Sequence, residues 1–326
     1  MEFKWSPFLS ALAVVLGGMG IIYLLFGPGP IGDQSMDMNM DMGSGPIQSH
    51  RSYNIEVISG TKDVQPLKST EIVYIIKDEQ GTILKDYDVV HEKIMHFITV
   101  RKDLQYFQHI HPEFNKETGE FTIPVIFAAD GEYRMFADFT PSSGQMGSGG
   151  EKLPVTIYQD IVAGNLANYN PQPLGNTQRS KTFAGYNITM TPSSEPVASQ
   201  NDYGFTFEIK KGNQLITNLE KYLGALGHTV VLREGDLQFI HGHPTQSPDT
   251  KQTGKITFMI TFPEAGYYKL FSQFQHEGKI VTSDFLVSVT EGVKSSPGGV
   301  MIHENSESSG GASTTPMPDA MEGMMH

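Results

Sequence analysis

The sequence predicts an all-β chain built from two tandem sandwich domains. Three observations carry that prediction. Short runs of alternating apolar and polar residues fill the middle of the chain. Turn residues interrupt them about every 8–12 positions, the spacing of an all-β domain. The runs occur twice, in the same order and at a nearly constant spacing, so the middle is an internal repeat.

The chain opens on a different kind of segment. Residues 8–26 read FLSALAVVLGGMGIIYLLF, with no charge. At about 1.5 Å per residue they reach roughly 28 Å as a helix, close to the hydrocarbon thickness of a bilayer. We read 1–26 as a cytoplasmic stub and an uncleaved transmembrane anchor. A cleaved signal peptide is the alternative, but the following GPGPIGDQ lacks a small-residue cleavage pattern. Lys4 is the only base before the span, and an acidic stretch follows it. The bulk of the chain is therefore expected outside the cytoplasm, with residues 8–26 in the lipid bilayer of the cell membrane.

Residues 27–50 form a Gly-, Asp- and Met-rich linker, in which Met36, Met38, Met40 and Met42 alternate with polar residues. The far end, 291–326, is also of low complexity and carries Met317, Met321, Met324, Met325 and His326. Both stretches are expected to be disordered. Thioether sulfur is a soft ligand that suits Cu(I). Clustered Met in such segments reads either as a copper-gathering tract or as low-complexity drift.

The repeat lies between these ends. HEKIMHFITVRKDLQYFQHIHP (91–112) parallels LGALGHTVVLREGDLQFIHGHP (223–244) at an offset of 132. GEFTIPVIFAADGEYRMFADF (119–139) parallels GKITFMITFPEAGYYKLFSQF (254–274). We place domain one at 51–160, a linker at 161–180 with an Asn-, Pro- and Gly-rich stretch at 163–178, and domain two at 181–290. In copy one, strands are expected over 72–76, 96–100, 122–127, 133–139 and 155–161. The sequences Asp130-Gly131-Glu132-Tyr133 and Ala265-Gly266-Tyr267-Tyr268 resemble the corner before a late strand of immunoglobulin-like sandwiches, where a Tyr hydroxyl pins the loop. The fold class is thus two tandem immunoglobulin-like β-sandwiches after an N-terminal transmembrane helix.

Composition narrows the chemistry. The 326 residues include 11 His, 16 Met and no Cys. Disulfides, thiolate zinc sites, iron–sulfur clusters, blue-copper centres and cysteine nucleophiles are all excluded. A net charge of −13 argues against nucleic acid as a partner. Any transition metal would have to use His, Met or carboxylate.

His96, His109 and His111 answer that requirement. His109 and His111 share one face of a strand because side chains alternate. A hairpin centred on Lys102-Asp103 would set His96 opposite His109, with Cβ atoms about 5 Å apart. His228, His241 and His243 repeat the arrangement around Glu234-Gly235. His96 shares its face with Ile98 and Val100, so this is expected to be the inward face, with the histidines near one end of the sandwich. The triplets read either as metal ligands or as neutral hydrogen-bonded clusters closing the sandwich. Copy one adds His91, Glu92 and Met95, although Met95 points to the opposite face. Asp138 and its counterpart Gln273 are placed to orient an imidazole, but a solvated strand position is the simpler assignment.

The run HEKIMHFITVRKDLQYFQHIHP followed by DGEYRMFADF resembles a YtkA-like family of bacterial secreted or membrane-anchored ectodomains. These share an H-E-K-x-M-H…D-L-x-x-F-x-H-x-H-P pattern and are loosely associated with heavy-metal and copper handling. Copy two keeps the three His, the Asp-Leu, the aromatic and the Pro. The resemblance covers 91–139 and 215–290 and implies an extracytoplasmic bacterial protein. No nucleophile elbow, phosphate loop or dinucleotide fingerprint stands in its structural context, so no enzyme is expected. The reading is a membrane-anchored protein that sequesters or delivers copper, with zinc as the alternative ion and a metal-transport protein as partner. The competing reading is a cell-surface interaction or adhesion module whose histidines are structural.

Overall fold

The computed structural model describes residues 52–242, 244–246 and 251–292. The anchor and both Met tracts lie outside these residues, as does His243. No helix of the described residues is long and apolar enough to cross a membrane.

Copy one contributes β1 (Tyr53–Ser59), β2 (Ser69–Asp78), β3 (Tyr87–Asp88), β4 (His96–Arg101), β5 (Gln108–Ile110), β6 (Glu113–Asn115), β7 (Glu120–Ile126), β8 (Gly131–Pro141) and β9 (Val155–Ala163). Copy two contributes β10 (Ser180–Phe183), β11 (Tyr186–Pro192), β12 (Asp202–Lys211), β13 (Gln214–Leu215), β14 (His228–Arg233), β15 (Phe239–Gly242), β16 (Lys255–Thr261), β17 (Gly266–His276) and β18 (Lys279–Val289). Every strand expected in copy one falls on one of these. All pairing between these strands is antiparallel. One sheet of copy one runs β1-β2-β7-β6, and the other has β4 between β5 and β8, with β3 and β9 also on β8. Copy two repeats this as β10-β11-β12, with β13 and β16 on β12, facing β15-β14-β17-β18.

Each sandwich closes over its own core. Tyr74 stacks on Phe97 and Phe121 in copy one, and Phe207 meets Phe258, Phe274 and Phe285 in copy two. Both late-strand corners are pinned as expected. Tyr133 Oη donates to Ala129 O at 3.0 Å and accepts from Ala129 N at 3.1 Å. Tyr268 Oη donates to Glu264 O at 2.8 Å. Gly131 enters the strand at φ 144, where a Cβ would fall 2.8 Å from the Tyr169 ring. Tyr133→Phe strands two part-buried backbone groups of Ala129 and is expected to cost about 1–2 kcal/mol. Urea unfolding of the variant measures it, and an unchanged midpoint would show that the corner contributes nothing.

A third apolar cluster lies between the copies. Ile98, Val100, Leu104 and Phe136 of copy one meet Val230, Leu232, Leu237 and Phe271 of copy two. β4 is therefore buried along its whole length, and so is nearly all of β14. Phe97 faces the home core, while Ile98 and Val100 face the other copy. This corrects the inward assignment of the histidine face: it is the outer face of its sheet, covered by the second sandwich.

The contacts are reciprocal. Phe107 stacks on Phe271 at 4.3 Å, and their counterparts Phe239 and Phe136 pair at 5.2 Å. Lys269 Nζ donates to Leu104 O at 3.0 Å, and Arg134 donates to Asp236 O at 2.8 Å. Such exchange of equivalent surfaces is what a two-fold interface produces, here within one chain.

Candidate metal centre between the two copies

The hairpin register differs from the expected one by two residues. His109 pairs with Ile98 and Ile110 with Phe97, which leaves His111 opposite His96. Copy two shows the same shift, with His241 paired to Val230. The turn is longer than a tight one because Leu104 and Leu237, both at positive φ, fold into the inter-copy cluster. An even shift keeps every side chain on its face, so the triplet still converges.

A row across the sheet runs His111, His96, Asp138, because His96 is paired with Asp138 on β8. His109 lies in the adjacent row. Ligand nitrogens of His96, His109 and His111 all lie within 4.8 Å of one another. The ring centroids are 5.2, 5.1 and 5.0 Å apart. His96 Nδ1 is 3.0 Å from His109 Nε2 and 3.2 Å from His111 Nε2. Three imidazoles on one tetrahedral ion, with metal–nitrogen bonds near 2.0–2.1 Å, have nitrogens about 3.3 Å apart.

The outer nitrogens decide what the inner ones carry. His96 Nε2 faces Val90 O at 3.2 Å, and His109 Nδ1 faces Gln273 Oε1 at 2.8 Å. A carbonyl oxygen only accepts, so both outer nitrogens hold the proton. In the neutral ring the inner nitrogen is then a lone pair. His96 Nδ1 and His109 Nε2 thus meet lone pair to lone pair, the arrangement a cation relieves. Burial keeps the rings neutral. It lowers His96 and His109 to about 4 and His111 to about 2, and the neighbouring imidazoles add to the effect. His96 and His109 are buried and His111 is half-buried, which gives the site a side open to solvent.

Comparison with known proteins agrees with the repeat. The profile of a family described as a domain of unknown function (DUF8832) matches residues 50–147 and 181–291. The chain belongs to the DUF8832 family. No curated protein matches it by sequence. Among solved structures, the Escherichia coli adhesin FdeC is 14% identical, with a TM-score of 0.24, over 73% of this chain and 64% of that one. Salmonella alpha-2-macroglobulin is 12% identical, with a TM-score of 0.23, over 74% of this chain and 15% of that one. Domains 4 and 5 of the S-layer protein SbsC are 10% identical, with a TM-score of 0.21, over 73% of this chain and 98% of that one. The chain thus spans less than two thirds of FdeC and a small part of the macroglobulin.

Both DUF8832 domains bring described histidines to the same place. His228 and His241 do not form a remote second site: His228 lies 6.4 Å from His96 between ring centroids, and His241 lies 5.9 Å from it. His91 joins them, 5.1 Å from His228. It sits with Glu92 at the apex of a two-residue turn closed by Val90 and Lys93, both apex residues in the left-handed region. That conformation favours Gly or Asn, and copy two has Leu223-Gly224 there. Met95 packs in the home core, away from the site.

Asp138 and Gln273 are the residues that sequence reasoning underrated. Both are buried, and each accepts from a histidine of the other copy: His241 Nδ1 donates to Asp138 Oδ2 at 3.0 Å, as His109 does to Gln273. Thr156 Oγ1 also donates to Asp138, at 2.7 Å. Burial nevertheless pushes the Asp138 carboxyl up from the usual carboxylate range.

Proposed function

We propose that the chain is an extracytoplasmic metal-binding protein that holds an ion on His96, His109 and His111. One observation carries the reading: His96 and His109 face each other with their lone pairs, their outer nitrogens held by acceptors, and His111 Nε2 lies 3.2 Å from the same His96 nitrogen. Copper is the ion we favour. The chain has no thiolate, and its Met tracts offer soft ligands beside imidazoles that accept either copper oxidation state. Zinc is the alternative. Anchored by residues 8–26, the protein would sequester copper or pass it to a transport partner, without turnover.

A second reading has the tandem sandwiches as a cell-surface interaction module. Its support is that His109 and His241 each hold the other copy by a hydrogen bond, which is a structural use of histidine. One experiment separates the two. The full chain is loaded with Cu(II) or Zn(II), dialysed, and its metal content measured. At least one retained ion per chain is expected, and the combined His96→Ala, His109→Ala, His111→Ala variant should retain at least one fewer with its β circular dichroism intact. A parent chain that retains no ion would favour the interaction module.

A further inference from the structure

We propose that docking of the second sandwich sets the ion affinity of the copy-one triplet, with Gln273 of copy two as the positioning residue, so that ion binding and docking strengthen each other. This rests on the metal reading above and adds to it how that site is regulated.

The triplet is not held by copy one alone. His109 lies on β5, a strand of three residues at the edge of its sheet, where its neighbour is β4. Copy two covers the other side of this segment. Phe107 and His109, two residues apart, meet Phe271 and Gln273, also two residues apart on β17. Phe107 stacks on Phe271 at 4.3 Å, and His109 Nδ1 donates to Gln273 Oε1 at 2.8 Å. Both partners of that bond are buried.

The carboxamide is itself held. Gln273 Nε2 donates to Thr282 Oγ1 at 3.1 Å, and Thr282 is its register partner on β18. The amide oxygen is thereby turned to His109. It keeps the proton on Nδ1 and points Nε2 at His96 Nδ1, 3.0 Å away. Parting the copies would put water in place of this acceptor, and water fixes neither the ring orientation nor the tautomer. Partners behind a ligating imidazole typically govern 10–100-fold of a site's affinity. Linkage is reciprocal: the factor by which docking tightens the ion is the factor by which the ion tightens docking.

The test uses the full chain with Cu(II), its affinity measured by competition with a chelator. The equivalent at issue is the one lost in the combined His96→Ala, His109→Ala, His111→Ala variant. Gln273→Leu keeps the second aromatic pair, the bonds from Lys269 and Arg134 and the bond from His241 to Asp138, so it should stay compact in small-angle scattering. It should bind that equivalent roughly 10–100-fold more weakly. Gln273→Glu keeps an acceptor for His109 and should bind it at least as tightly as the parent. The ion's effect on docking is read by proteolysis in 164–179, where Leu174 packs on the inter-copy cluster and cleavage follows the opened fraction. Saturating Cu(II) should slow that cleavage in the parent by roughly 10–100-fold and leave it unchanged in the triplet variant. Parent-like affinity in Gln273→Leu, a Gln273→Glu as weak as Gln273→Leu, or a parent whose cleavage copper does not slow would overturn the coupling and leave the triplet standing. If the parent binds no ion, or the triplet variant binds as much as the parent, the metal reading itself fails.

Discussion

Phe271→Asp is expected to part the two sandwiches while leaving both folded. Phe271 is 4% exposed and belongs to the inter-copy cluster alone. Its ring lies 4.3 Å from that of Phe107 at an interplanar angle of 6°. Losing the side chain removes roughly 2–3 kcal/mol of burial and about 1 kcal/mol of stacking. The new carboxylate would stand opposite Asp284, its register partner on β18, and Lys269 already pairs with Asp284 at 3.1 Å. An unpaired charge there adds several kcal/mol, for a total of at least about 5 kcal/mol against docking. The home cores lose little. Eight buried apolar side chains form the inter-copy cluster, against eighteen and twenty-three in the two cores. Small-angle scattering should show a longer particle with unchanged β circular dichroism. Proteolysis should begin in 164–179, where Leu174 packs on the cluster and Gln172 N donates to Asp103. Phe271→Leu should stay compact. Outright unfolding of Phe271→Asp would mean that neither sandwich is stable alone, and an unchanged particle would mean that the cluster does not hold the copies together.

The same interface shows what local pattern can and cannot reveal. The strands, the duplicated order and the tyrosine-pinned corners are local features, and a two-residue alternation with turn residues is enough to find them. The face of His96, Ile98 and Val100 is apolar whichever body covers it, so alternation alone assigned it to the home core. A signal was present: in the Tyr133–Phe139 stretch Phe136 stands on the opposite face from Tyr133, Met135, Ala137 and Phe139, and an aromatic ring on that second face needs a cover of its own. The bonds from His109 to Gln273 and from His241 to Asp138 span 164 and 103 residues. No local spacing encodes them. They become legible only once the two copies are docked as a pseudo-two-fold pair, after which each contact implies its mate.

Acid should unfold the metal-free chain through the histidine cluster. The sign follows from where each ring takes its proton. In the unfolded chain a histidine protonates near pH 6.5. In the folded chain burial lowers His96 and His109 to about 4 and His111 to about 2, and it lowers His91 and His241 as well. Below pH 6.5 the unfolded state therefore binds more protons, and stability falls as pH drops from about 6.5 towards 4. His109, shifted from 6.5 to about 4, accounts for about 3 kcal/mol of this by itself. Asp138 acts the other way, since its raised carboxyl takes a proton first in the folded state. One such group against five imidazoles leaves the direction unchanged. Replacing His96, His109 and His111 by Gln removes three of the five titrations and keeps polar side chains of similar size. The variant should lose much less stability than the parent between pH 6.5 and 4, measured as urea midpoints at fixed pH. A bound ion competes with protons for the same lone pairs. At a free concentration of 1,000 times its Kd it adds about 4 kcal/mol and moves the parent's acid transition to lower pH. Equal pH slopes in parent and variant would show that the cluster does not govern acid stability. An acid transition that metal moves equally in both would place the ion elsewhere.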